Sequence, residues 1–180
     1  MIRVITGTAK NIKLKTPNIE GYRAVQEVAK GALFSIIGDD IKKSRCLDLY
    51  AGGGNLGIEA LSRGALWCDF VDSNKISTKT IEENLKVCGF ENKAEVFSKE
   101  APKFVANAQA GYNYIFVDPF YHDTSHVFLM KNVEEILSKN GLVAFFHGKT
   151  LNIGKIIDKT ALAIVDERRF GRSYLTIISH

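Results

Sequence analysis

The sequence contains no long hydrophobic run. Across 180 residues, no apolar stretch approaches the roughly 18 residues that a membrane-spanning helix needs, and the N-terminus lacks the apolar core of a secretory signal. Hydrophobic residues still make up 46% of the chain, enough to build one domain with a proper core and a small appendage. We therefore expect a cytoplasmic protein that does not associate with a membrane.

Cysteine is scarce as well. Cys46, Cys68 and Cys88 are widely spaced, stand in apolar contexts and form no Cys-x-x-Cys pair of the kind used for zinc or redox chemistry. His122 and His126 lie four residues apart, but no acidic or thiolate residue accompanies them at the spacing of a metal site. The sequence therefore predicts small core cysteines in a reducing compartment and no metal.

Acidic residues are almost absent from the first part of the chain. The net charge is +4 and the pI is near 8.9, values that permit a polyanionic partner without demanding one. Residues 3–6 and 11–15 are predicted to form two short strands, the second with lysines on one face and apolar side chains on the other. We expect this basic face to bind a polyanion, with a merely solvated hairpin as the alternative. The basic face comprises Arg3, Lys10, Lys13, Lys15 and Arg23.

Strand and helix signals alternate through the rest of the chain. Helical spacing of apolar residues predicts a helix over residues 24–37, and a cofactor domain is predicted to begin at Ser44. Strands are then predicted at 46–50, 66–72, 94–97, 112–117 and 141–146, and helices at 56–63, 77–87, 102–108 and 126–138. This succession predicts a mostly parallel sheet covered on both faces. The final strands, 161–169 and 174–179, are joined by only four residues, which permits only an antiparallel hairpin.

A glycine-rich turn stands at the centre of this pattern. Residues 47–57 are typical of a buried strand, a tight turn and a helix start, and Gly52-x-Gly54-x-x-Gly57 matches the fingerprint of dinucleotide-binding turns. Glycine lets a ligand press against bare backbone, and the helix N-terminus presents unpaired N–H groups to that ligand. The motif predicts an adenosine-type cofactor without choosing among them. A glycine-rich turn with no ligand is the alternative.

Acidic residues lie near the predicted strand ends, where ligands bind in such sheets. Asp48 could hold an ammonium group, such as that of S-adenosylmethionine (SAM), which a nicotinamide cofactor lacks. Asp72, about 20 residues after Gly52, could accept both ribose hydroxyls. Glu100 and Asp118 fall at or just beyond further strand ends. Asp48 or Asp72 alone could be an exposed strand-end acid, and Glu100 could be an acid at a helix N-terminus. Together with the glycines, Asp48 and Asp72 favour a cofactor site.

Several segments match one family pattern nearly from end to end. They are residues 3–7, 13–14, 23, 32–34, 47–54, 56–65, 83–85, 117–119 and the closing strand with Tyr174. The chain resembles the bacterial 16S rRNA guanine-N2 methyltransferases of the RsmD type. The resemblance implies a Rossmann-like class I methyltransferase fold of the α/β class, whose mostly parallel seven-stranded sheet ends in an antiparallel hairpin. It further implies an RNA-docking extension over 1–43, formed by a basic hairpin and a helix, and a SAM-dependent methyltransferase domain over 44–180.

The family's Asp/Asn-Pro-Pro-aromatic signature reads Asp118-Pro119-Phe120-Tyr121 in this chain. The resemblance implies that Asp118 and Pro119 orient the guanine amine and that Phe120 or Tyr121 stacks on the flipped base. It also implies SAM as cofactor, 16S rRNA or the small ribosomal subunit as partner, and guanine 966 as target. The implied donor-binding residues are Asp48, Tyr50, Ala51, Gly52, Gly54, Asn55, Gly57, Asp72, Ser73 and Glu100.

The chain departs from the family pattern at several positions. Phe120 replaces the second proline, which leaves the Pro119 carbonyl less restrained, and Asn74 replaces an acidic residue beyond Asp72. Two alternatives stay open: an amino-group methyltransferase acting on DNA adenine or protein glutamine, and a SAM-binding ribosome assembly factor whose catalysis has decayed. A nicotinamide enzyme agrees less well with the terminal hairpin.

Overall fold

The computed structural model describes residues 2–119 and 126–180. The sequence-predicted positions Phe120, Tyr121 and His122 therefore lie outside the described residues. No helix within the described ranges is both long and apolar enough to cross a membrane.

Two short strands and a helix precede the main sheet. Strand β1 (Ile2–Arg3) pairs antiparallel with β2 (Lys13–Leu14), so that Ile2 and Leu14 enter the core while Arg3 and Lys13 face outward. Helix α1 (Glu27–Ile37) follows and buries Leu33 and Phe34. The predicted hairpin and helix are therefore present, although both strands are shorter than predicted and the helix begins later.

The main sheet has seven strands in the order β5-β4-β3-β6-β7-β9-β8. Strands β5, β4, β3, β6 and β7 are parallel, whereas β9 runs antiparallel to β7 and β8 antiparallel to β9. The strands are β3 (Arg45–Leu49), β4 (Trp67–Asp72), β5 (Ala94–Ser98), β6 (Tyr112–Val117), β7 (Leu137–Gly148), β8 (Ala163–Phe170) and β9 (Ser173–Ser179). The predicted mostly parallel sheet with its closing hairpin is confirmed.

Helices cover both faces of this sheet because its central strands are apolar on both sides. They are α2 (Asn55–Ser62), α3 (Lys75–Cys88), α4 (Ala101–Val105), α5 (His126–Ile136) and α6 (Ile153–Ile157). Helices α1, α2 and α3 pack on the face that presents Phe116, and α4, α5 and α6 on the face of Ile115 and Val117. The five-residue helix α6 was not predicted; it is too short to show a helical period, and its visible start signal is the capping amide of Asn152.

The N-terminal segment is fastened to helix α2 by a buried carboxylate. Glu59 is fully buried and accepts hydrogen bonds from the backbone N–H groups of Ile5 (2.8 Å) and Thr6 (3.0 Å). It also pairs with Lys30 of α1 at 3.1 Å and with Arg63 at 2.8 Å. Glu59 and Arg63 belong to the segment 57–64 that is most specific in the sequence pattern. This segment therefore has a packing role: through Glu59 it ties the N-terminal chain and α1 to α2.

Candidate active site

The glycine-rich turn connects the end of β3 to helix α2. Tyr50, Gly52 and Gly54 have φ of 58°, 56° and 79°, so the chain takes a positive φ three times before α2 begins. At Gly57 a Cβ atom would lie 2.3 Å from the ring of Phe70, so only glycine lets α2 pack this closely against β4. The side chain of Tyr50 packs at the edge of the core formed with α4 and α5, while its backbone forms the turn.

Two buried carboxylates brace this turn. Asp48 is buried opposite Leu47 and Leu49, as the strand alternation predicted, and accepts a 2.8 Å hydrogen bond from the Gly57 N–H. Asp72, at the end of β4, accepts hydrogen bonds from the N–H groups of Gly52 (2.9 Å) and Asn74 (2.8 Å). Burial raises the pKa of both carboxyl groups, although these N–H bonds oppose the rise.

Asp118 completes a group of three acids at one edge of the sheet. It follows directly after β6, whose partners are β3 and β7, and its backbone lies next to that of Leu49. Burial of the carboxyl group raises its pKa to about 7, although the residue as a whole keeps an intermediate exposure. Pro119 is likewise partly exposed, and Phe120 and Tyr121 lie beyond the described residues.

The three acids form no ion pair with a cation of the described chain. No lysine, arginine or histidine within residues 2–119 and 126–180 forms an ion pair with Asp48, Asp72 or Asp118. The charges of Asp118 and Asp72 further raise the pKa of Asp48. A group of carboxylates with raised pKa values and no internal countercharge is typical of a binding or catalytic site. It favours a ligand that carries positive charge.

Tyr22 lies over the glycine turn, a position that the sequence did not predict. Its phenol oxygen accepts a 3.3 Å hydrogen bond from the Gly53 N–H, and its ring lies 2.5 Å from where a Cβ atom of Gly52 would stand. Burial raises the pKa of Tyr22 to about 12, and the nearby charges of Asp118, Asp48 and Asp72 add to the rise. The phenol therefore lies close to all three acids. No motif in residues 16–26 marks this contact.

The crevice between Tyr22 and the turn is narrow. A cavity of about 20 Å³ lies between Tyr22 and Val25 on one side and Asp48 and Asp118 on the other. Cofactor pockets typically hold roughly 300 Å³ or more. The cavity as it stands is therefore too small for a nucleoside.

Two further predicted donor-binding residues reach this crevice, and the polar side chain of one of them is already hydrogen-bonded. Ala51 and Asn55 line it, and the Asn55 amide donates to the Val25 carbonyl (3.1 Å) and accepts from Lys30 (2.7 Å). Asn74 caps helix α3, because its side-chain oxygen accepts from the Ile76 N–H at 2.8 Å. The departure from an acidic residue at position 74 thus supplies a helix cap.

Two other predicted donor-binding residues are exposed and lie shortly after the ends of β4 and β5. Ser73 is exposed directly after Asp72, and Glu100 is exposed at the start of α4, where it pairs with Lys103 at 2.9 Å. The Glu100 side chain makes no hydrogen bond that caps its helix. Both donor-binding assignments remain predictions.

Tertiary structure brings acids to the predicted basic face. Arg3 pairs with Glu27 at 3.1 Å, and Lys15 pairs with Glu83 at 2.8 Å. Lys10, Lys13 and Arg23 are exposed and form no ion pair among the described residues. The face is therefore less positive than the local sequence indicates, because Glu27 and Glu83 come from other parts of the chain.

The strand order, the glycine turn and the strand-end acids together define a class I methyltransferase fold. A solved Escherichia coli structure described as "Putative methyltransferase yhhF" superposes with a TM-score of 0.85 at 24% identity, over 98% of this chain and 96% of that one. At this identity the likeness bears on the fold alone.

The sequence comparisons identify the family. The chain belongs to the family described as "Conserved hypothetical protein 95", which matches residues 2–179. It is 32% identical to "Putative rRNA methyltransferase YlbH" of Bacillus subtilis (strain 168) over 161 residues, 87% of this chain and 88% of that one. It is 31% identical to "Ribosomal RNA small subunit methyltransferase D" of Escherichia coli (strain K12), over 79% of this chain and 70% of that one. The resemblance to RsmD-type proteins is therefore confirmed.

Proposed function

We propose that this protein transfers a methyl group from SAM to the exocyclic N2 amine of a guanine in 16S rRNA, in the cytoplasm. The observation that carries the proposal is the convergence of Asp48, Asp72 and Asp118 around the glycine turn without a cationic partner among the described residues. The names of the two curated relatives, an rRNA methyltransferase and a small-subunit methyltransferase, support the substrate class. The target nucleotide, guanine 966, rests on the family resemblance.

The acids suit a donor of this chemistry. SAM carries a sulfonium and an ammonium, and it supplies an electrophilic methyl group. Asp72 would hold the ribose hydroxyls and Asp48 would face the ammonium. The bare backbone of Gly52 would leave room for the donor once Tyr22 moves away. Because Asp48 and Asp72 are already bonded to the turn, the protein holds these carboxylates in place before the donor arrives.

Asp118 and Pro119 would position the acceptor. The guanine N2 amine is a weak nucleophile because its lone pair is delocalised into the ring. Hydrogen bonds from its N–H groups to the Asp118 carboxylate and the Pro119 carbonyl would aim that lone pair at the methyl carbon. As the nitrogen–carbon bond forms and the sulfur–carbon bond breaks, the nitrogen becomes cationic and loses a proton, which Asp118 can accept. Phe120 or Tyr121 would stack on the base after it leaves its helix.

The N-terminal extension, residues 1–43, would dock RNA while residues 44–180 hold the donor. The exposed cations Lys10, Lys13 and Arg23 are available for phosphate contacts, and Arg3 and Lys15 would exchange their acidic partners for phosphate. The segment carrying Tyr22 lies within this extension and covers the glycine turn. Donor binding would displace it outward.

The test is methyl transfer from labelled SAM to small ribosomal subunits that lack the native modification, with the product nucleotide mapped. Asp118→Ala should abolish transfer while leaving SAM binding largely intact. The matched control is Asp158→Ala, which removes an exposed aspartate that follows α6. Undiminished transfer by Asp118→Ala, or a product on DNA or protein instead of N2-methylguanosine, would refute the proposal.

A further inference from the structure

A groove of about 560 Å³ runs between the chain that follows β2 and helix α3. Lys15 and Thr16 line one wall, and Lys75, Lys79 and Glu83 of α3 line the other. The groove is thus formed by segments about 60 residues apart in sequence. The sequence of α3 alone did not indicate a binding surface.

The groove carries an excess of positive charge. Its only carboxylate, Glu83, is paired with Lys15 at 2.8 Å, and the neighbouring charge of Lys79 helps to lower the pKa of that carboxyl group. Lys75 and Lys79 are exposed and form no ion pair with any described residue. Like charges four residues apart on a helix repel each other. An anionic ligand would relieve this repulsion.

The groove is joined directly to the glycine turn. The Asn84 side chain accepts from the Lys15 N–H (2.8 Å) and donates to the carbonyls of Lys15 (2.9 Å) and Gly53 (2.8 Å). Helix α3 begins at Lys75, soon after Asp72. The lysines therefore lie beside the crevice that would hold the donor, at the same edge of the sheet.

We propose that this groove binds the phosphate backbone of the RNA substrate, with Lys15, Lys75 and Lys79 as the contacts. The two helix lysines are separated by a rise of about 6 Å, close to the distance between consecutive phosphates of one strand. Ile76, which is 50% exposed between them, offers an apolar surface to a ribose or a base. This proposal rests on the proposed function, because it assumes that the substrate is RNA. It extends the RNA contacts of the basic face, through Lys15, onto helix α3.

The test compares two double variants of the full-length protein. Lys75→Ala/Lys79→Ala removes the groove lysines, and Lys86→Ala/Lys93→Ala removes two exposed lysines at and just beyond the other end of α3. Alanine is a good helix former, so the helix variants should fold. We expect Lys75→Ala/Lys79→Ala to weaken binding to small-subunit rRNA about tenfold or more. The slope of the logarithm of the RNA association constant against the logarithm of the salt concentration should become shallower by about 1.5. The control pair should stay near the wild type, and SAM affinity should be unchanged in both.

Three results would overturn the proposal that the groove binds RNA. The first is an equal loss of RNA affinity in the two double variants, and the second is a fall in SAM affinity in Lys75→Ala/Lys79→Ala. The third is displacement of the RNA by inorganic phosphate alone, which would indicate a small-anion site. The proposed function is tested separately by methyl transfer with the wild type. If the wild type transfers methyl groups to rRNA and Lys75→Ala/Lys79→Ala binds RNA as well as the control variant does, only the groove proposal is wrong. If the wild type transfers none but groove-dependent RNA binding persists, only the proposed function is wrong.

Discussion

The buried pair between Glu59 and Lys30 offers the sharpest test of how the N-terminal segment is held. Both side chains are fully buried and lie 3.1 Å apart. One carboxylate oxygen of Glu59 accepts from Ile5 and Lys30, and the other accepts from Thr6 and Arg63. Glu59→Gln keeps the size of the side chain but replaces one oxygen with an amide NH₂, which cannot accept. Whichever way the amide turns, two donors lose their acceptor.

We expect Glu59→Gln to lower the free energy of unfolding by a large amount for a single substitution. Breaking a buried ion pair from one side destabilises a protein by about 3–5 kcal/mol, because it leaves an uncompensated buried charge. Lys30 keeps hydrogen bonds to Asn55 (2.7 Å) and to the Arg3 carbonyl (2.8 Å), which favours the lower half of that range. Since domains are stable by about 5–15 kcal/mol, the loss is a substantial share of the total. For a chain of this size it corresponds to a fall in Tm of roughly 10 °C.

Urea denaturation followed by circular dichroism at pH 7 measures this cost. The matched control is Glu83→Gln, which makes the same substitution in another Lys–Glu pair, whose side chains are 66% and 41% exposed. We expect a far smaller effect there, because exposed ion pairs contribute little. Burial would not make this pair costly to break if Glu59→Gln lowered the free energy of unfolding by less than about 1 kcal/mol, or if the two variants lowered it equally.

Three further predictions concern the candidate site. Asp118 must be ionised to accept the amine proton, and its pKa is about 7. The kcat/KM for methyl transfer should therefore rise with pH through about 7 and then level off. A flat pH profile would contradict this role. The same raised pKa means that ionisation of Asp118 opposes folding. Asp118→Asn should therefore raise Tm more at pH 8 than at pH 5, as measured by thermal melts, and an equal change at both pH values would exclude the effect. Tyr22→Ala should lower the Kd for SAM, measured by calorimetry, about threefold or more, because it clears the space over Gly52. Tyr22→Phe keeps the ring and should change the Kd little. Weaker SAM binding by Tyr22→Ala would show that the ring holds the donor.

Local patterns in the sequence determined the elements and the chemistry at the strand ends. A continuous apolar run located β6 to the residue. Strand alternation placed Asp48 opposite Leu47 and Leu49, because side chains in a strand alternate between faces. Parallel connections then required Asp72 and Asp118 to meet the glycine turn at one edge. These inferences depend on periodicity and chain direction, which short stretches of sequence carry.

Only the tertiary structure decided what lies against that edge. Tyr22 over Gly52, Asn84 between Lys15 and Gly53, and Glu83 beside Lys15 join segments that are about 30 to 70 residues apart. No periodicity encodes such contacts, since they depend on how loops cross the finished sheet. The basic hairpin was correctly placed as a strand pair with Lys13 facing outward, yet the acidic partner of Lys15 followed from packing against α3. Side-chain charge is a property of the sequence, whereas its neutralisation is a property of the fold.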